Sequence, residues 1–173
     1  MSDSSMRLTK VRWDGKRVTI TYTRGRGTEE NPADEFSLSC SDEPSRAFKD
    51  ALAALAKDLN VICEFNPPAR VTVRSVSLTW KNDILGAVIS GLKHLTSANT
   101  PLVLNTPHLP SEKYGPNAGG PLMPDGMRER LRNLLDEASR YVLGGAREQP
   151  RMDLPDRGSE DGPAPAPPSP KVH

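Results

Sequence analysis

The sequence predicts an α+β fold: a mostly antiparallel sheet with two helices packed on one face, in the order ββ-β-α-βββ-α. Three observations predict it. Runs rich in β-branched residues, Val11–Tyr22 and Val71–Trp80 among them, follow one another without an intervening helix, and consecutive strands favour antiparallel pairing. Two apolar stripes recur at helical spacing, Phe48/Leu52/Leu55/Leu59 and Met127/Leu131/Leu134/Leu135/Ala138/Val142. Seven of the 17 prolines lie between residues 150 and 173, which confines the packed part to one domain, residues 1–148, structured from about residue 6.

The elements follow in order. Asp14-Gly15 sits between two strand-like runs and predicts a two-residue hairpin turn. That register sets Arg12 opposite Arg17 and Val11 opposite Val18, with Val11, Val18, Ile20 and Tyr22 facing inward. A third strand spans 36–40, with Phe36, Leu38 and Cys40 on one side. Ser45 caps the first helix, which extends towards Val61 and Ile62 before Asn66-Pro67-Pro68 ends it. In the next strand Val71 and Val73 share one parity, and Val76, Leu78 and Trp80 the other, so a bulge is expected near Arg74-Ser75. Lys81-Asn82-Asp83 reads as a turn, and extended pieces follow over 84–95 and 102–104, the first weakened by Gly86 and Gly91. The last helix runs from about Pro124, started by Asp125 or its neighbours, to Leu143, and Gly144-Gly145 ends it.

Residues 149–173 carry few large apolar side chains to offset the entropy of ordering, and Gly162–Pro170 suits polyproline II, so this segment is expected to be a disordered tail. Five more prolines mark 107–124 as a long irregular connection. The 173 residues contain 23 Lys or Arg and 22 Asp or Glu, so bulk charge advertises no partner. No run is apolar enough for a membrane span and the N-terminus lacks a signal-peptide core, which predicts a cytoplasmic protein.

Catalytic chemistry finds no support in the residues. Three histidines and two cysteines fall in no metal-ligand spacing, and no phosphate-binding glycine loop is present, so no catalytic residue, metal or cofactor is expected. Cys40 and Cys63 lie on apolar stretches and read as buried structural thiols. The mixed charges of the last helix read as a solvated face. The N-terminal hairpin is more informative: seven Lys or Arg and one acid lie between Arg7 and Arg26. Arg12, Arg17, Arg24 and Arg26 are candidate phosphate contacts on single-stranded DNA, and Trp13 a candidate stacking platform. Charges on an edge hairpin also block aggregation, which is the competing explanation.

Phe48-Lys-Asp-Ala-Leu-Ala-Ala-Leu55, Val71-Thr-Val-Arg-Ser-Val76, Pro101-Leu-Val-Leu-Asn-Thr-Pro107 and Glu137-Ala-Ser-Arg-Tyr-Val-Leu-Gly-Gly-Ala-Arg-Glu-Gln149 resemble stretches of small phage- and prophage-encoded proteins of unknown function. The resemblance implies a setting, the cytoplasm of an infected bacterial cell, and no activity. Arg151-Met-Asp-Leu-Pro155 is similar to the linear peptides that bind the bacterial sliding clamp, with Met152, Asp153 and Leu154 at the matching positions and Arg151 and Pro155 departing from the pattern. Together these lead to the expectation of a non-enzymatic phage accessory protein of DNA replication or recombination. The clamp, or another replication protein, and single-stranded DNA would be its partners. The alternative is a ligand-binding or host-defence-countering protein, with a pocket between sheet and helices roofed by residues 107–124.

Overall fold

Six strands lie in the order β3-β2-β1-β4-β5-β6, every pairing antiparallel, and β7 shares the outer edge of β5 with β6. The strands are β1 (Met6–Trp13), β2 (Val18–Arg24), β3 (Asp34–Cys40), β4 (Val71–Lys81), β5 (Ile84–Lys93), β6 (Leu102–Asn105) and β7 (Leu109–Pro110). The computed structural model describes residues 6–144 except 26, 29, 114, 117 and 118. The tail, with its expected boundary at 148–149, lies outside them.

Helices α1 (Arg46–Ala54), α2 (Ala56–Ile62) and α3 (Met127–Val142) cover one face of the sheet. Period-2 alternation gives the sheet its apolar side: Val11, Val18, Ile20, Val76 and Ile89 are fully buried. Against them pack Phe48, Leu52, Leu55 and Leu59 from α1–α2, and Met127, Leu131, Leu134, Ala138 and Tyr141 from α3. Each large side chain so buried contributes about 1.5–3 kcal/mol before ordering costs. No helix among the described residues is long and apolar enough to cross a membrane.

The first hairpin corrects the expected register. Trp13 lies opposite Val18, Arg12 opposite Thr19 and Val11 opposite Ile20. Asp14 is the cause: its Oδ1 accepts from the backbone N–H of Lys16 and of Arg17, each at 2.9 Å, so the loop closes over four residues round the carboxylate. A shift of two residues preserves parity, which is why the inward face survives. The shift also replaces the expected Arg12–Arg17 pair, two like charges, by Arg12 and a threonine.

Other elements differ in instructive ways. The Ser45 hydroxyl caps α1 by accepting from Phe48 N–H at 3.2 Å, but the helix breaks at Leu55, whose N–H turns back to Leu52 O. The bulge in β4 falls between Val73 and Ser75, as expected. β5 runs unbroken through its glycines because they are needed there. A Cβ on Gly91 would lie 2.7 Å from both Thr72 O and Leu59 Cδ2, and one on Gly86 would strike the His108 ring. Past β6, Thr106 extends the ladder with its side chain, accepting from Ile89 N–H at 2.9 Å. The 107–124 connection supplies the unexpected β7, pinned by Ser111 N–H on Leu85 O. Helix α3 starts from Gly126 in the left-handed region, with no side-chain cap from Asp125.

One charge on α3 is not part of a solvated face. Arg130 reaches across to α2, where Nε and Nη2 bond both oxygens of the fully buried Asp58 at 2.7 and 2.5 Å, and Nη2 also donates to Asp125 O. These bonds to Asp58 hold the guanidinium pKa above its ordinary value.

Candidate nucleic-acid interface

The face of the sheet opposite the helices is polar over β1–β4, with His108 lying against its Thr79 end. Its side chains align in rows across the strands. One row reads Ser39, Thr19, Arg12, Ser75, Ser90 and Asn105; the next reads Ser37, Thr21, Lys10 and Ser77. These are the alternate positions of the same strands that build the core, so the pattern that buries one face necessarily presents hydroxyls and cations on the other.

Four cations gather on or beside these rows. Lys10 and Arg12 stand on the central strand. Arg17 shares the Arg12 parity, and its Nη1 donates to Ser39 Oγ at 3.3 Å. Arg74, displaced by the β4 bulge, reaches the hairpin tip, its Nη1 3.7 Å from where a Gly15 Cβ would stand. Asp14 is the acid among them. The amides of Arg17 and Lys16 hold its carboxyl below the usual range, with smaller contributions from the Arg12 and Arg74 charges. Its ion pair with Arg12 is long, at 4.0 Å. Lys10, Arg17 and Arg74 make no ion pair among the described residues.

The sequence-derived set therefore divides. Arg12 and Arg17 are brought together on the polar face. Trp13 has the opposite parity: it packs against the core beside Leu52 and Ala56, so it is no stacking platform for a strand held by Arg12. Arg24 also faces the other way, its guanidinium 5.5 and 5.4 Å from the centroids of Tyr22 and Phe36. Arg26, Met152, Asp153 and Leu154 lie outside the described residues. Sequence reasoning missed Lys10 and Arg74 as members of the cluster. Parity on β1 marks Lys10 as a neighbour of Arg12, but only the β1–β4 pairing brings in Arg74.

Among the described residues, the histidines pair with threonines and the cysteines lie apart from them. His94 Nε2 lies 2.9 Å from Thr72 Oγ1, and His108 Nε2 2.7 Å from Thr79 Oγ1. Cys40 and Cys63 are half-buried rather than buried, and desolvation pushes the Cys63 thiol up. No cluster of three His, Cys, Asp or Glu that could hold a metal occurs among the described residues. A cavity of about 280 Å³ is lined by residues of the 107–124 connection itself, His108, Lys113, Gly120 and Leu122 among them. Between sheet and helices lies a smaller cavity of about 170 Å³, where Trp80 and Leu85 of the sheet face Arg132 and Leu135 of α3, with Ser111 of the 107–124 connection beside them. Comparison with protein-family models, curated proteins and solved structures found no match to this chain.

Proposed function

We propose that this protein is a non-enzymatic accessory factor that holds single-stranded nucleic acid by its phosphates on the polar sheet face. The observation that carries the reading is the gathering of Lys10, Arg12, Arg17 and Arg74 among aligned serines and threonines. Cations neutralise phosphates and release counterions, while hydroxyls donate to phosphate oxygens without regard to sequence. Lys10, Arg17 and Arg74 make no ion pair among the described residues, so a phosphate adds an interaction without breaking such a pair. The resemblance to phage proteins implies an infected bacterial cell as the setting, and the clamp-like peptide links the activity to replication or recombination. The Met152–Leu154 peptide would tether it to the sliding clamp, a contact that titration of a labelled 146–158 peptide with clamp reads directly.

The test is anisotropy of a labelled oligodeoxynucleotide titrated with the full chain at several salt concentrations. Four phosphate contacts on a single strand give a log–log slope of about −3. Lys10→Gln with Arg12→Gln should weaken binding and flatten that slope by about 1.4. A slope unchanged in the double variant, or no binding at low salt, refutes the proposal.

A further inference from the structure

A cleft of about 550 Å³ opens at the end of the polar face where β1 and β4 separate. The two strands pair only through Lys10–Arg12 and Ser75–Ser77. Beyond that point the β1 bulge at Thr9 turns the chain away, and Trp80 bridges the gap by donating its indole N–H to Leu8 O at 2.9 Å. In the cleft wall the Arg7 guanidinium lies 5.7 Å from the Trp80 ring centroid and is paired with Asp83 Oδ1 at 2.5 Å. Leu78 and Ala33 add apolar lining. Thr9 also lines the cleft, and its Oγ1 is buried with no hydrogen-bond partner among the described residues.

We infer that this cleft receives one unstacked base of the bound strand, an inference that rests on the strand-binding reading above. The volume lies within the range of small-molecule sites. A guanidinium beside an indole offers a base a cationic and aromatic surface to pack on. The Arg7–Asp83 pair places donors and acceptors at the mouth. The rim is continuous with the cationic face, because Arg7 pairs with Thr23 one row beyond Lys10 and Thr21. A strand whose phosphates meet Lys10 and Arg12 thus passes the mouth of the cleft.

The experiment compares a ten-nucleotide strand with an abasic strand of equal length, using full-length protein carrying Trp13→Phe so that the emission is that of Trp80. The base-bearing strand should quench Trp80 and bind roughly tenfold more tightly. Ala33→Leu, which fills the cleft, should bring its affinity down to the abasic level without altering the salt slope; thermal melting confirms that the variant folds. Equal affinities for the two strands, an intact salt slope and no quenching would overturn the cleft inference and leave backbone binding standing. No binding of either strand at low salt would overturn both. Quenching by a free nucleoside monophosphate at the same affinity as by the strand would make this a nucleotide site and overturn the strand-borne base.

Discussion

The Asp58–Arg130 pair allows a sharp test of how this fold is held together. The two partners are unequally buried: the Asp58 side chain is 1% exposed and that of Arg130 22% exposed. Arg130→Met leaves a carboxylate with no access to water and no cation, which costs about 3–5 kcal/mol. Asp58→Asn leaves a guanidinium that still bonds Asp125 O at 3.0 Å and can rehydrate at its exposed edge, so about 1–3 kcal/mol is expected. Asp58→Leu combined with Arg130→Met should be less destabilised than Arg130→Met alone, because no charge is left unpaired. The Arg130 pKa is raised, so its contribution is fully present below the ordinary guanidinium range and is lost only as pH rises beyond it. The cost of Asp58→Asn should therefore be the same from pH 6 to pH 9. Urea unfolding followed by tryptophan emission measures these costs, with m-values held constant as the check on compactness. Equal costs for the two single variants, or costs below about 0.5 kcal/mol as at an exposed pair, would refute the argument from burial.

Two further predictions concern the sheet. Gly91→Ala should cost about 2–3 kcal/mol and Gly86→Ala about 1 kcal/mol. At 91 the new methyl meets the Thr72 carbonyl of the neighbouring strand, whereas at 86 it meets an exposed His108 ring that can swing away; the reverse order in thermal melts would contradict this. The Asp14 carboxyl, held down first by the Arg17 and then by the Lys16 amide, stabilises the hairpin above its unfolded pKa. That contribution disappears as pH falls through the lower folded value. A carboxyl NMR titration should show a midpoint below that of the denatured chain, and an unshifted midpoint would remove the amide bonds from the account.

How much was legible follows from which interactions are local. The stripe Phe48/Leu52/Leu55/Leu59, the β4 bulge and the Lys81–Asp83 turn all rest on residues close in sequence, and they stand where periodicity put them. The hairpin register was not legible from Asp14-Gly15 alone, because the dipeptide favours a two-residue turn while the Asp14 carboxylate, by bonding two later amides, favours a longer one. Long-range features were hidden for a different reason. Asp58 and Arg130 stand 72 residues apart, and each reads alone as an ordinary surface charge on an amphipathic helix. Tyr141 escaped the last helix's apolar stripe, yet it is fully buried, its hydroxyl donating to Asp42 O at 2.7 Å.

The same distinction governs the candidate site. The sequence localised positive charge to the N-terminal hairpin, but a count of cations along a strand does not say which face each one takes. Parity separates Arg12 and Arg17 from Trp13 and Arg24, and the pairing of β1 with β4 then brings in Arg74 from a strand sixty residues later. Four cations collected beside a single carboxylate, Asp14, repel one another more than they are neutralised, which works against folding rather than for it. Edge protection does not account for the arrangement, because Lys10 and Arg12 stand on β1, a central strand paired on both sides, where no edge needs blocking. An anion with several charges spaced along a chain relieves that repulsion at Lys10, Arg12 and Arg74 at once, and a nucleic-acid backbone is such an anion.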